Sequence, residues 1–432
     1  MDNVDSLILE NKNPESKHNE YQIVFLIAFI GFLASTDSML LMPLSNVIMK
    51  NYDVSAQVST WVISTYSIFA GISGFLSASI MDRFDRKKLL IGTFIGFAIG
   101  TMLCGFANNF GLFVLYRGIT GIFGGIVGGV GVAIVSDLIP FKRRATAMSI
   151  ISLSFAVSAI IGVPIGLELA KNYSLLLPFR VLAGVAFLTL IPIILWLPKI
   201  NKHLAEQKTD SIDFHENSNI VADIYISKHK RPLETIKEAL QDINQVWALL
   251  LSILIVFSHF VVLQFIVPYM ENNVGFSSKL VPMMYFIGGI CAIATAPLIG
   301  KISDKKGNFP SFVVLMFLSF VPILLSTHIS VVSMPLALFI CVTFFILAAG
   351  RMIPAYTIMS GATTPDKRGG FMSMRSACME IGTALASIVS GFVVKIGKDG
   401  IVHHFNYVGY ISVIVGLICI FIASRILIVS HE

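Results

Sequence analysis

The sequence predicts an all-α membrane protein with twelve transmembrane helices, arranged as two pseudo-symmetric six-helix bundles. Of its 432 residues, 55% are hydrophobic and only 13% are charged, and the mean hydropathy is +0.82. Soluble globular chains carry about 25% charged residues. Apolar segments that cross lipid form helices, because each backbone amide then finds its hydrogen-bond partner within the same segment.

The sequence contains twelve successive apolar segments. Each is long enough to form a bilayer-spanning helix, which needs about 20 residues. A polar stretch rich in Lys, Asp, Glu, Asn and His separates the first six from the last six. We expect an N-terminal tail at 1–20, a first bundle at 21–198, a linker at 199–242 and a second bundle at 243–428. The predicted spans are 21–48, 56–81, 88–108, 110–136, 146–170, 175–198, 243–271, 280–300, 310–328, 331–358, 370–394 and 403–428.

Basic residues are concentrated in alternate loops and in the linker. The loops on the other side of the membrane carry few, such as Lys50, Lys171 and Lys279. Because positively charged loops stay in the cytoplasm, both termini and the linker are predicted to be cytoplasmic in a multi-pass protein of the cell (inner) membrane. The formal charge of +6 therefore reflects orientation in the lipid bilayer, and no nucleic acid partner is expected.

The loops also repeat between the two halves. Asp82-Arg83-Phe84-Asp85-Arg86-Lys87 follows the second helix, and Asp304-Lys305-Lys306-Gly307 follows the eighth. Pro140-Phe141-Lys142-Arg143 follows the fourth helix, and Pro365-Asp366-Lys367-Arg368 follows the tenth. Matching loops at matching positions indicate a duplicated six-helix unit, an architecture in which transporters bind substrate near the midplane between halves.

These loops and several helical motifs resemble the major facilitator superfamily over all twelve helices. Residues 78–87 are similar to the loop motif Gly-x-x-x-Asp-Arg-x-Gly-Arg-Lys, with Ala78 and Asp85 in place of its glycines. Leu115 to Gly121 resembles the arginine motif of the fourth helix, with Thr120 for the usual glutamine.

Three further segments carry the resemblance. Gly162-Val163-Pro164-Ile165-Gly166 is similar to the core of the antiporter motif, and Phe179-Arg180 resembles the pair that opens the sixth helix. Gly350 to Pro354, together with Arg368 to Ser373, resembles the arabinose-efflux-like branch of the twelve-helix drug antiporters.

Asp37 is the first candidate for proton coupling or substrate binding. An acid within an apolar span is costly, so it usually faces a water-filled cavity or a partner charge. Family members place an acid of the first helix near the arginine of the fourth, which the resemblance carries to Asp37 and Arg117. The alternative is a structural ion pair that fixes two helices.

Glu380 is the second candidate. Its helix carries hydroxyl residues at helical spacing on the same face, which predicts a polar stripe: Ser373, Ser376, Thr383 and Ser387. The stripe could face a pore, or it could hydrogen-bond a neighbouring helix.

His259 and Arg351 are further ionisable residues within apolar spans. A histidine could relay protons, but we favour a hydrogen-bonded core side chain for His259. Arg351 stays charged and needs either an acid, for which Glu380 is available, or an anionic substrate. Glu168 and Glu271 lie near helix ends, where we expect solvated side chains.

Four charged residues at the cytoplasmic side form a predicted conformational gate: Asp82, Arg86, Asp137 and Asp304. In the family, the acid of the loop after the second helix packs against the start of the eleventh helix, where the helix dipole favours an anion. Glycines crowd the fourth helix from Gly121 to Gly131, which favours close helix packing.

The predicted function is secondary active transport of a small-molecule substrate by alternating access, with proton-coupled efflux of a drug or metabolite preferred. A symporter or facilitator that imports a sugar, amino acid or organic anion is the alternative, and a non-transporting membrane receptor is a third. We expect no cofactor, metal site or enzymatic activity, since the sequence has no nucleotide motif, metal cluster or nucleophile–base motif. We expect a monomer.

Overall fold

The computed structural model describes residues 14–81, 84–139, 141–200, 237, 239–364, 368–397 and 399–427. Within these residues, twelve helices are long and apolar enough to cross a membrane, which confirms the predicted number and order. The helices are α1 Pro14–Met39, α2 Trp61–Met81, α3 Arg86–Cys104, α4 Phe110–Leu138, α5 (Phe141–Val157, a π-helical turn Ser158–Gly162 and Val163–Asn172), α6 Leu177–Trp196, α7 Ile243–Asn272, α8 Val281–Lys306, α9 Asn308–His328, α10 Met334–Ser360, α11 Arg368–Val393 and α12 Phe405–Ala423.

The first predicted span, 21–48, was too long. Helix α1 ends at Met39, and a separate short helix Ser45–Tyr52 follows. Pro43 lies between them, and proline both lacks a backbone donor and disfavours a helical conformation in the residue before it. The Tyr52 hydroxyl donates to the Ala107 carbonyl at 3.2 Å, and burial raises the pKa of Tyr52 to about 12, so this donor stays protonated at neutral pH.

The two faces of the molecule are named here by the course of the chain. Helix α1 begins and α2 ends at the inner face, which the sequence predicts to be cytoplasmic, and the opposite face is the outer face. The tail before residue 14 and most of the predicted linker, residues 201–236 and 238, lie outside the described residues.

Helices α1–α6 and α7–α12 form two bundles that pack against each other. One apolar core lies within the first bundle, between α1, α3, α4 and α6. Another lies mainly within the second bundle. A third core crosses between the bundles near the outer face, where Leu41 and Leu44 belong to the same cluster as Phe265 and Ile266. The bundles also meet where α2 packs against α11 and where α5 packs against α8.

A small hairpin at the outer face was not predicted from sequence. Strand β1, Lys395–Ile396, pairs antiparallel with β2, Val402–His403. The end of α7 holds the hairpin, because the Asn273 side chain donates to the Val402 carbonyl at 2.9 Å and accepts from the Val402 amide at 2.9 Å. Strands of two residues carry no hydrophobic alternation, so sequence periodicity does not reveal them.

Candidate functional site

A cavity lies between the two bundles. Its walls come from α1, α2, α4 and α5 on one side and from α7 and α11 on the other. Most of the wall is apolar, with three methionines, Met39, Met42 and Met379, and two phenylalanines, Phe155 and Phe260. The two charged side chains in the wall are Arg117 and Glu380, one from each bundle.

Asp37 and Arg117 form a fully buried ion pair in the first bundle. The Arg117 Nη1 donates to Asp37 Oδ2 at 2.5 Å, and neither side chain is exposed. The Arg117 guanidinium also lies over the Tyr66 ring, with Cζ 4.3 Å from the ring centroid. Asp37 Oδ1 and the Arg117 Nε and Nη2 have no hydrogen-bond partner in the described part of the chain. Of the two residues, Arg117 lines the cavity, so the pair has unpartnered polar atoms next to the cavity wall.

Close packing of α2 on α4 holds the Tyr66 ring against Arg117. A Cβ atom on Gly121 would collide with the Tyr66 carbonyl, and one on Gly125 would collide with the Ala70 carbonyl. The expected close packing of the glycine-rich fourth helix is confirmed at these two positions. The interface between α2 and α4 lies within the first bundle. It therefore fixes the position of Arg117 and is not part of the contact between the two bundles.

Glu380 enters the same cavity from α11 of the second bundle. Ser67 of α2 lines the cavity together with Glu380, and Arg117 is close enough to interact with the Glu380 carboxylate electrostatically. One guanidinium thus lies near two carboxylates, one from each bundle.

The predicted polar stripe on α11 divides into parts with different surroundings. Thr383 lines the cavity beside Glu380. Ser387 lies nearer the outer face, where its hydroxyl donates to Gln264 Oε1 at 3.2 Å and lies 3.4 Å from the Thr60 carbonyl of the first bundle. Ser376 is exposed and donates to the Met372 carbonyl in its own helix. One part of the stripe therefore lines the cavity, and another part contacts neighbouring helices.

Arg351 does not reach the cavity wall, and its proposed pairing with Glu380 is wrong in this structure. The side chain is fully buried inside the second bundle, where Nη1 donates to Ser319 Oγ at 3.2 Å and lies 3.3 Å from Met316 Sδ. Its Nε and Nη2 have no hydrogen-bond partner, and no acid forms an ion pair with it, among the described residues.

His259 lies in an aromatic environment rather than a polar one. Its ring stacks on Phe344 with centroids 5.3 Å apart and meets Phe260 edge-on at 5.1 Å. Its Nδ1 has no hydrogen-bond partner within the described chain, so the hydrogen-bonded side chain favoured from sequence is wrong for this nitrogen. Phe260 separates the ring from direct contact with the cavity.

The inner-face residues are only partly brought together. Arg86 Nε donates to Asp137 Oδ2 at 3.2 Å, which links the start of α3 to the end of α4. Asp85, which replaces a family glycine, caps α3 by accepting from the backbone amides of Lys87 and Lys88. Asp304 is exposed on α8 and forms no ion pair with another described residue. Asp82 lies outside the described residues.

Sequence reasoning missed an ionic contact between the bundles at the outer face. Glu271 was expected to be solvated, but its side chain is only 12% exposed and forms an ion pair with Lys171 at 3.2 Å. The signal was available, since opposite charges stand at the outer ends of α5 and α7. Glu168 is exposed as expected, and it accepts a hydrogen bond from Asn172 in the same helix.

Two six-helix bundles around a shared, mostly apolar cavity with a few buried charges define a membrane transporter fold. A model of the Major Facilitator Superfamily matches residues 27–356. The chain therefore belongs to the major facilitator superfamily, and it is a transporter rather than an enzyme. Members of this superfamily bind small-molecule substrates.

Curated relatives span most of the chain at low identity. The chain is 21% identical over 372 residues to an uncharacterized MFS-type transporter, YceJ, of Bacillus subtilis, covering 86% of this chain and 88% of the relative. It is 25% identical over 381 residues to the multidrug resistance protein MdtG of Rahnella sp., covering 85% and 86%. It is 22% identical to a probable sugar efflux transporter of Helicobacter pylori over 66% of each chain.

Solved structures share the fold. A bacterial homolog of the human lysosomal transporter Spinster, in an inward-facing conformation, superposes with a TM-score of 0.70 at 16% identity, covering 94% of this chain and 97% of that one. A D-xylose-proton symporter superposes with a TM-score of 0.70 at 16% identity, covering 94% and 98%.

Proposed function

We propose that this protein is a secondary active transporter that exports a small organic molecule in exchange for protons. The two bundles rock about the central cavity, which opens to one face of the membrane at a time. The observation that carries the proposal is the position of Glu380, whose carboxylate enters an apolar cavity opposite the Asp37–Arg117 pair of the other bundle.

Charge balance in the cavity explains why protons would be coupled to transport. Arg117 carries one positive charge, and Asp37 already binds it directly. If both acids are ionised, one negative charge remains uncompensated in a low-dielectric site, which is costly. A proton or a suitable group of the substrate can remove that cost. Competition between them for one site is the simplest basis of exchange.

The cavity wall and the relatives favour efflux. Methionine side chains are flexible and polarizable, so three of them beside two phenylalanines suit apolar molecules of varied shape. MdtG is named for multidrug resistance, and the Helicobacter pylori relatives are named as sugar efflux transporters. The second name describes movement out of the cell, and the first describes resistance to drugs.

The membrane, the orientation and the inner gate are part of the proposal. Basic loops at the inner face support a multi-pass arrangement in the cell (inner) membrane, with both termini in the cytoplasm. Residues 199–242 then connect the bundles 21–198 and 243–428, and the monomer is the working unit. Asp82, Arg86, Asp137 and Asp304 act at the inner face, where the Arg86–Asp137 contact supports a role in closure.

The coupling is tested in everted membrane vesicles with a panel of labelled drugs and metabolites. We expect proton-driven uptake by the wild-type protein, loss of that uptake in Glu380→Gln and Asp37→Asn, and normal uptake in the matched control Glu168→Gln. Glu168 is a suitable control because it is an exposed acid at the outer end of α5. Uptake that is independent of the proton gradient, and unchanged in Glu380→Gln, would contradict the coupling.

Import of an anionic or sugar-like solute by symport or facilitation is the second candidate. The unpaired Nε and Nη2 of Arg117 favour it, because a guanidinium recognises carboxylate groups with two donors. The same fold is seen in a D-xylose-proton symporter, so the architecture is compatible with either direction. Accumulation of a labelled organic acid in right-side-out vesicles, driven by an inward proton gradient, would favour this function over efflux.

A further inference from the structure

The outer face is held closed by a polar contact between the bundles, centred on Glu271. Glu271 belongs to α7 of the second bundle, and both of its carboxylate oxygens bind donors of the first bundle. Asn46 Nδ2 donates to Oε2 at 2.7 Å, and Lys171 Nζ donates to Oε1 at 3.2 Å. Lys171 also donates to the Ser278 carbonyl of the second bundle at 2.8 Å.

These contacts differ from ordinary surface ion pairs. The Glu271 and Lys171 side chains are only 12% and 19% exposed, so water and salt screen the pair less than an exposed one. Surface pairs contribute little, whereas charge-assisted hydrogen bonds in partly dry sites are stronger. All three bonds cross from one bundle to the other, so a separation of a few ångströms at the outer face would break them together.

The contact lies at the outer end of a layered interface. Below it, Ser387 binds Gln264 Oε1 and approaches the Thr60 carbonyl, and the Ser45 hydroxyl lies 3.5 Å from the Gln264 carbonyl. The apolar core shared by the bundles lies beside these residues. Apolar contacts are non-directional, so they can persist when the two bundles slide past each other. The hydrogen bonds of Glu271 require a narrow range of distance and angle, so the same movement breaks them.

We propose that Asn46, Glu271 and Lys171 form the outer gate of this transporter, and that loss of the Glu271 carboxylate shifts the protein toward an outward-open state. Glu271 is a positioning residue in this scheme: it acts on the relative position of the bundles and does not contact the cavity. The inference rests on the rocking movement proposed above, but it does not depend on proton coupling or on the substrate.

The test is a distance measurement across the outer face by pulsed electron paramagnetic resonance on the full-length protein. Spin labels at Tyr173→Cys and Val331→Cys report on the two bundles, since both side chains are highly exposed in outer loops. A Cys291→Ser background limits labelling elsewhere, because the other four native cysteines are buried.

We expect Glu271→Ala to increase the ratio of the longer to the shorter distance population about tenfold, which corresponds to a net loss of about 1.4 kcal/mol when both contacts of the carboxylate are removed. Lys171→Ala should act in the same direction. Glu271→Gln should have a smaller effect, because its amide oxygen can still accept from Asn46. The matched controls Glu168→Ala and Lys279→Ala, at exposed positions of the same face, should leave the distances unchanged.

The charge reversal Lys171→Glu with Glu271→Lys separates the ion pair from local packing. The double variant should recover part of the population with the shorter distance, because the ion pair is restored and the Asn46 amide oxygen can accept a hydrogen bond from the lysine at position 271. The proposal is overturned if Glu271→Ala gives the same distances as the control variants. It is also overturned if the double variant has as large a share of the longer distance as the single variant, Lys171→Glu or Glu271→Lys, in which that share is larger. The measurement needs neither substrate nor gradient, so its failure is distinct from failure of the proposed exchange.

Discussion

Each bundle buries one arginine completely, but the two arginines have different surroundings. Arg117 of the first bundle binds Asp37, lies over Tyr66 and borders the central cavity. Arg351 of the second bundle lies among Met316 and Ser319, with no acid paired to it in the described residues and no contact with the cavity wall. Similar side chains on the fourth helix of each bundle therefore have different partners.

The comparison shows that a fully buried charge does not have to border the cavity. A charge in a low-dielectric interior is costly, and the cost falls when an opposite charge and further hydrogen bonds accompany it. Arg117 has the opposite charge and borders the cavity. Arg351 forms no ion pair with a described residue, so its burial in the second bundle is less well compensated in this conformation.

Removal of the acid from the first pair is expected to have the largest effect. Asp37→Asn leaves Arg117 without the carboxylate that binds it directly, and breaking a buried pair by removing one partner costs about 3–5 kcal/mol. We expect the free energy of unfolding in detergent micelles to fall by that amount, and transport to be lost.

The double variant Asp37→Asn with Arg117→Met is the control for this prediction. Because neither member of the buried pair is then charged, most of the stability should return, whereas transport should stay absent. A double variant as unstable as Asp37→Asn alone would show that packing, and not charge, sets the stability of this site.

Neutralisation of Arg351 is expected to act in the opposite direction. Arg351→Met removes a buried cation that has no acidic partner in the described part of the chain, and replacing buried charged groups by apolar residues is often neutral or stabilising by about 1–4 kcal/mol. Ser319 keeps its own hydrogen bond to the Met316 carbonyl at 2.7 Å, so no hydroxyl is left unpaired. The measurement compares the free energy of unfolding of Arg351→Met with that of Arg117→Met. A marked loss of stability in Arg351→Met would indicate that Arg351 has an anionic partner.

The aromatic neighbour of Arg117 is expected to contribute least. Tyr66→Leu removes the ring under the guanidinium, and a cation–π contact is worth about 0.5–2 kcal/mol. Tyr66→Phe keeps the ring and should unfold like the wild-type protein. Equal stability of the leucine and phenylalanine variants would show that the ion pair with Asp37 alone holds the arginine.

Much of the fold follows from the sequence because the bilayer sets a simple requirement. Each span must be apolar and about 20 residues long, so composition and length located all twelve helices. The α1 boundary was misjudged, since residues 40–48 are apolar enough to continue the helix while Pro43 interrupts it. The outer hairpin was missed because two-residue strands have no pattern to read.

The candidate site was only partly predictable. Asp37, Arg117 and Glu380 stood out because charges are rare in apolar spans, and the structure brings Arg117 and Glu380 to one cavity and pairs Asp37 with Arg117. The same reasoning offered Glu380 as a partner for Arg351, a contact that the structure does not form, and took Glu271 for a solvated side chain. A charged residue in an apolar span is easily recognised in the sequence. The sequence does not show, however, how the helix is rotated or which residues of other helices lie against that side chain.

The sequence by itself determined the number of spans, their order, the duplicated halves and the short set of buried charges, because these depend on local composition and on the thickness of the membrane. Only the tertiary structure decided which charges meet. The distance between Asp37 and Arg117, the entry of Glu380 from the opposite bundle, the isolation of Arg351 and the closure at Glu271 all depend on how helices far apart in sequence rotate and pack. Helix rotation is set by contacts summed over many side chains, which no single motif encodes.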